Sequence, residues 1–299
     1  MNNPDMQIHQ LDKIRIRESF NAAAENYDDA AVLQREVGDR MLERLELIRL
    51  SPQTILDVGS GTGVLSRALD KRYRKAQVFS LDLAPRMLLT ARRRNSWISQ
   101  RFGRQGFICG DAERLPLADH SIDLIFSNLT LQWCGELERT FEEFRRVLRP
   151  EGLLLFSTFG PDTLKELRHS WHAADRENSQ TVHVNDFIDM HDVGDAILRA
   201  GLGDAVMDVE NFTLTYADAY QLMRELKSIG AHNAANDRHH SLTGKVRFKT
   251  MLDTYENYRT DGKLPATYEV IYGHAWAPAS SNKQFTISVE SLKTRTDRP

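Results

Sequence analysis

Four polar side chains at the ends of short apolar runs could do chemistry in this chain. They are Asp57 in Ile55-Leu56-Asp57-Val58, Asp82 after Val78-Phe79-Ser80-Leu81, Asp111 after Phe107-Ile108-Cys109-Gly110, and Asn128 after Ile122 to Ser127. The first run leads into Gly59-Ser60-Gly61-Thr62-Gly63 and then the helical spacing of Val64 to Leu69. A strand, a glycine turn and a helix start together present backbone N–H groups to a ligand. An acid closing the second strand, here Asp82 with Leu83 beside it, accepts hydrogen bonds from ribose hydroxyls. Asp111 would accept from an adenine amino group with the Ala112 backbone close by, and Met87 would flank the base. A glycine turn with no ligand is the plain alternative, and the matched acids weigh against it.

Dinucleotide binding does not fit. The turn lacks the third glycine of that fingerprint and continues into Val64, while Asp57 would repel a pyrophosphate. A carboxylate there suits an ammonium group. S-adenosylmethionine carries an amino-acid tail, a sulfonium charge and an adenosine, and so fits both acids. The expected cofactor contacts are Asp57, Gly59, Ser60, Gly61, Gly63, Asp82, Leu83, Met87, Asp111, Ala112, Asn128 and Gln132. The Asp-x-Gly-x-Gly-x-Gly form resembles the first signature of class I S-adenosylmethionine-dependent methyltransferases. That resemblance implies an α/β, Rossmann-like, mostly parallel seven-stranded sheet with a helical N-terminal segment and substrate-side insertions.

The elements that must position these groups follow from apolar spacing. The spacing predicts helices over 11–24 and 31–49, strands ending at Val58, Asp82, Asp111 and Asn128, and a helix from Glu136 to Val147. Arg149-Pro150-Glu151-Gly152 turns into a fifth strand over 153–159. Further on come a helix opened by Phe159 to Leu167, one capped by Asn185 or Asp186, and a strand over 205–214. Helices over 216–229 and 245–259, a strand over 265–276 pairing as a β-hairpin partner, and a short strand candidate at 285–289 complete the chain. The expected organisation is a helical segment over 1–52, a cofactor core over 53–160, a substrate side over 161–277 and a tail from 278.

Composition leaves room for a real core. The 299 residues are 41% hydrophobic and 27% charged, and the formal charge of −3 does not announce nucleic acid binding. No apolar run approaches the roughly 20 residues of a membrane span, and the polar N-terminus has no signal-peptide core. Two cysteines, Cys109 and Cys134, give no disulfide framework and no metal spacing. A cytoplasmic protein without a metal is expected.

Longer phrases narrow the reading. Phe20-Asn21-Ala22-Ala23-Ala24-Glu25-Asn26-Tyr27-Asp28 resembles the N-terminal segment that closes over the cofactor in small-molecule methyltransferases, and it implicates Tyr27 in the active site. His183 to Asp192, Leu222 to Asn233 and Tyr268 to Trp276 closely resemble the BioC family, the malonyl-acyl-carrier-protein O-methyltransferases of biotin synthesis. The likeness covers about Phe20 to Trp276. It implies methyl transfer to the free carboxylate of a malonyl thioester, a carboxylate that needs no general base. An arginine fork is the usual partner for such a group, and Arg224 is the expected one, with His232, His183 and Tyr27 as further substrate-side residues. The expected partner is an acidic malonyl-acyl carrier protein, or malonyl coenzyme A. Steering would come from Arg92–Arg94 with Arg101 and Arg104, or from Lys71 to Lys75. Competing readings are a methyltransferase of the same fold acting on a quinone or a free diacid, and a domain of this fold serving assembly or protein modification.

Overall fold

The computed structural model describes residues 11–95, 104–175, 183–231 and 244–279. Seven strands form one sheet: β1 (Thr54–Val58), β2 (Gln77–Asp82), β3 (Gln105–Cys109), β4 (Ile122–Ser127), β5 (Leu148–Phe159), β6 (Gly203–Tyr216) and β7 (Leu264–Trp276). Their order is β3-β2-β1-β4-β5-β7-β6. The first five strands pair in parallel, and β7 runs antiparallel to both β5 and β6. Strand order reverses between β1 and β4, and in open α/β sheets ligands bind beyond the strand ends at that reversal.

Both faces of the sheet are covered, which explains why its central strands are apolar runs rather than alternating ones. Ile55, Leu124, Phe126, Leu153 and Leu155 belong to one core, while Leu56, Ile125, Leu154 and Phe156 belong to the other. The first core is roofed by α3 (Val32–Arg44), α4 (Val64–Arg72), α7 (Lys165–Ala174), α9 (Ala219–Ser228) and α10 (Lys245–Glu256). The second is roofed by α6 (Leu137–Val147) and α8 (Met190–Arg199). Helices α1 (Lys13–Ala23), α2 (Tyr27–Ala30) and α5 (Pro85–Arg93) make a third, smaller contact, where Ala23 and Ala24 meet Ala84 and Met87. Asp12 caps α1 by accepting from the Arg15 amide at 3.0 Å.

Several boundaries differ from the sequence reading, each for a local reason. Helix α3 stops at Arg44 and tightens into a 3₁₀ turn over Leu45–Leu47. The cap of α8 is Asp189, whose carboxylate accepts from the His191 amide at 2.8 Å, and not Asn185 or Asp186. Tyr216 ends β6 instead of starting a helix, because Asp218 caps α9 by accepting from Gln221 N at 2.8 Å. Strand β7 does follow β6 in an antiparallel pair, but α9 and α10 lie in the connection, so no hairpin turn joins them. Arg101, His232 and the strand candidate at 285–289 fall outside the described residues. Among the described residues no helix is long and apolar enough to cross a membrane.

Candidate active site

The glycine turn is built by backbone demands. Gly59, Gly61 and Gly63 have φ of 70°, 53° and 76°, a region that L side chains occupy at a cost. At Gly59 a side chain is also excluded by space, since an added Cβ would lie 2.0 Å from Thr130 Oγ1. The amides of Gly59 and Ser60 donate to Leu81 O at 2.8 and 3.0 Å, which ties the turn to the end of β2.

Asp82 closes that strand and faces the cavity wall. Its Oδ2 accepts from Gly61 N at 2.9 Å and its Oδ1 from Ala84 N at 2.8 Å. A carboxylate has about four acceptor positions, so each oxygen retains capacity toward the cavity. Burial pushes the Asp82 pKa up to about 6, against the two amides that favour the charge.

Asp57 lies behind the turn. It is 1% exposed and absent from the cavity wall, its carboxylate taken by the Ser66 hydroxyl, which in turn accepts from Ser80 Oγ at 2.8 Å. Burial pushes its pKa up to about 7, and the neighbouring Asp82 charge adds to the rise. The expected contact between Asp57 and a ligand ammonium is therefore corrected: Asp57 braces the turn. Ser60 and Gly63 are likewise off the wall, and Ser60 Oγ is a buried hydroxyl with no partner among the described residues.

Asp111 stands at the wall with Ala112, and its Oδ1 accepts from Lys13 Nζ and from Glu113 N, both at 3.1 Å. Lys13 also pairs with Glu113 at 3.2 Å. The end of β4 is braced by its own side chains. Asn128 Nδ2 donates to Gln34 O at 2.9 Å while its Oδ1 accepts from Ser157 Oγ, and Gln132 Nε2 donates to Leu129 O at 2.7 Å. Trp133 meets Phe20 edge-on at 5.4 Å between ring centroids. Leu83 and Met87 complete this half of the wall.

The N-terminal segment crosses the cavity and is tied down at several points. Tyr27 lines the cavity, its ring over Gly61, and burial raises its pKa so that the phenol stays protonated. The next residue, Asp28, accepts from Thr62 Oγ1 in the glycine turn and from Arg94 at the end of α5. Arg35 binds the Asp28 carbonyl, and Asn21 accepts from the Arg86 amide at 2.9 Å.

The far half of the cavity is apolar, walled by Phe159, Leu164, Leu167, Phe187, Leu226 and Ile229. Its polar members are few. His183 stacks on Trp171 at 3.9 Å and 5° between planes, with Nε2 at 3.2 Å from Asp175. Glu225 accepts from Tyr216 Oη at 2.7 Å. With its open mouth included, the space amounts to about 1460 Å³.

Arg224 is a correction. It is exposed on the outer face of α9 and does not reach the cavity, because Leu222, Leu226 and Ile229 turn the opposite face inward. The adjacent Glu225 is a charged α9 side chain that lines the site beside Leu226, and it and Lys13 were missed by sequence reasoning. The proposed steering clusters are also partly neutralised: Arg94 by Asp28, Arg104 by Asp70 and Arg72 by Glu46. Lys71 and Arg72 sit at the end of α4 remote from the glycine turn where that helix begins.

The wall offers carboxylate acceptors for hydroxyl and amino groups at one end and an apolar chamber at the other. Among the described residues it offers no activated thiol: Cys134 is pushed up to about 11 by burial. Among the described residues no group of three His, Cys, Asp or Glu could hold a metal ion.

A family profile described as a methyltransferase domain matches residues 56–156, the stretch from β1 through most of β5. The malonyl-[acyl-carrier protein] O-methyltransferase of Methylovorus sp. is 56% identical over 270 residues, covering 90% of each chain. That of Gallionella capsiferriformans is 53% identical over 271 residues, covering 90% of this chain and 92% of its own. The chain belongs to the malonyl-[acyl-carrier protein] O-methyltransferase family. It is thus an S-adenosylmethionine-dependent methyltransferase. Solved structures agree on the fold. YcgJ from Bacillus subtilis superposes with a TM-score of 0.55 at 15% identity, over 80% of this chain and 97% of its own. Phosphoethanolamine N-methyltransferase 2 of Haemonchus contortus does so at 0.50 and 19%, over 80% of this chain and 52% of its own.

Proposed function

We propose that this methyltransferase esterifies the free carboxylate of a malonyl thioester held on an acyl carrier protein, an early step toward the pimeloyl chain of biotin. The observation that carries the reading is the likeness to curated relatives of that activity over nine-tenths of the chain. The cavity supports it. S-adenosylmethionine, when bound, supplies an electrophilic methyl group on a sulfonium. The chain's residues fit it: Asp82 keeps acceptor capacity for two ribose hydroxyls, Asp111 retains a second oxygen for an amino group, and the orphaned Ser60 hydroxyl lies beside the glycine turn. Gly59, Gly61, Leu83, Met87 and Ala112 form the remaining wall, with Asn128 and Gln132 holding its shape.

On the substrate side, Tyr27 and His183 are among the few polar groups of the wall, and their role is to orient the carboxylate. No proton has to move, so the chamber's task is to position the oxygen and exclude water. An apolar wall favours a step in which opposite charges cancel, since the charge-separated reactants lose more by desolvation than the neutral products do. Two free cysteines accord with a cytoplasmic site of action.

The test is methyl transfer from labelled S-adenosylmethionine to malonyl carrier protein, malonyl coenzyme A, glutaryl carrier protein and free malonate. Label is expected in a malonyl thioester ester, with free malonate inert. Label in none of the thioesters would refute the reading.

A further inference from the structure

The outer face of α9 carries positive charge that no ion pair among the described residues neutralises. Tyr220, Arg224 and Lys227 follow at i, i+4 and i+7 as one exposed stripe. The Tyr220 ring lies 6.0 Å from that of Phe248, which brings the start of α10 alongside and adds Lys245, Val246 and Lys249, all exposed. Neither Arg224, Lys227, Lys245 nor Lys249 forms an ion pair among the described residues. Elsewhere on the surface Arg40, Arg44, Arg146, Arg149 and Arg199 each do. Of the acids nearby, Asp218 caps α9, Glu225 accepts from Tyr216 on the inner side, Glu256 is held by Arg259, and Asp253, one turn beyond Lys249, forms no ion pair with it among the described residues. Between the cations stand two apolar side chains that water should not favour, Tyr220 at 50% exposure and Val246 at 81%.

Glu225, Leu226 and Ile229, on the inner side of α9, line the cavity, so the stripe and the chamber are separated by one helix thickness, ~10–12 Å. We propose that the α9–α10 face docks the acidic carrier protein. Its four cations meet carboxylates of a carrier helix, and Tyr220 and Val246 meet that helix's apolar side chains, leaving the tethered thioester to reach round α9 into the chamber. The inference rests on the reading that the substrate is carrier-bound, and it moves Arg224 from the substrate carboxylate to the carrier surface.

The experiment uses the full chain with Arg224, Lys227, Lys245 and Lys249 all replaced by alanine. The kcat/KM for malonyl carrier protein is compared with that for malonyl pantetheine, an uncharged carrier fragment, at low and high salt. Loss of about tenfold or more toward the carrier protein, little change toward the pantetheine thioester, and a flattened salt dependence are expected, since rim charges act on association. Turnover of the pantetheine thioester also reports that the variant is folded. An equal loss with both substrates, or no loss with either, overturns the docking proposal. A wild-type chain that methylates neither substrate overturns the methylation reading, and docking with it.

Discussion

Cofactor affinity should depend on pH through Asp82. Its carboxyl ordinarily titrates near 3.8, but in the folded chain burial holds the proton up to about 6. Ribose hydroxyls donate to the ionised form, so binding must expel that proton, and affinity rises with pH through about 6 and levels off above it. With a pKa near 6 about a tenth of the molecules are ionised at pH 5 and about nine-tenths at pH 7, so affinity should rise about tenfold from pH 5 to pH 7. Asp82→Ala removes the acceptor itself. At about 1.5–3 kcal/mol per charge-assisted hydrogen bond, two lost bonds weaken binding by ~3 kcal/mol or more, roughly a hundredfold or greater. Calorimetric titration with S-adenosylmethionine at pH 5, 6 and 7 reads both effects, and the Ala variant should have lost the pH dependence along with the affinity. Wild-type affinity that stays flat between pH 5 and 7, together with a variant that binds normally, would refute the placement of the ribose at Asp82.

Three further perturbations probe the scaffold. Asp57→Asn keeps an acceptor for Ser66 but removes the titratable carboxyl. Because burial holds the Asp57 proton up to about 7 while an unfolded carboxyl releases it near 3.8, the wild type should lose stability as pH rises from about 4 to about 7 and level off above that; thermal melts of the variant between pH 4 and 7 should show that loss reduced. Asp28→Ala releases Thr62 and Arg94 from the N-terminal segment. It should weaken cofactor binding by about 1–2 kcal/mol, a roughly tenfold rise in Kd by titration, and an unchanged Kd would mean the tie does not matter for closure. Gly59→Ala drives a methyl group into Thr130 at a φ of 70° and should cost several kcal/mol or ~3 at least; urea unfolding should show the loss, with partial recovery in the double variant carrying Thr130→Ala.

The sheet and the cofactor half were legible because both are written in local residue order. An apolar run followed by a glycine turn, or by an acid, fixes a strand, its direction and its ligand-facing end within a few positions. Asp57 misled for a reason the sequence does not contain: the Ser66 hydroxyl, one helical turn beyond Gly63, reaches back and takes the carboxylate behind the turn. Arg224 misled although the signal was present. Leu222, Leu226 and Ile229 mark the inner stripe of α9, and a residue two positions from Leu222 is rotated about 200° away from it. Glu225, three from Leu222, lies on that inner side and could have been found the same way. Lys13 had the matching signal in α1, where Ile16 and Phe20 share its face. Its pairing with Asp111 spans 98 positions and could not be foreseen from either neighbourhood.

The displaced arginine bears on how the site handles charge. Among the described residues of the wall, Lys13 and His183 are the groups able to carry a positive charge, and Lys13 is engaged by Asp111 and Glu113. A fork clamped on the substrate carboxylate would bind it tightly in the ground state and withdraw electron density from the attacking oxygen. Interactions that are equally strong before and during reaction do not raise kcat. A chamber of phenyl and aliphatic side chains leaves the oxygen weakly solvated and its countercharge on the methyl donor, and the attraction between the two is stronger where the dielectric is low. Electrostatics that must act at long range, on a whole carrier protein, belong instead on the solvent face, where α9 holds Arg224 and Lys227. On the docking proposal, one helix divides the two tasks between its sides: Leu226 and Ile229, with Glu225, toward the chamber, and Arg224 and Lys227 toward the carrier.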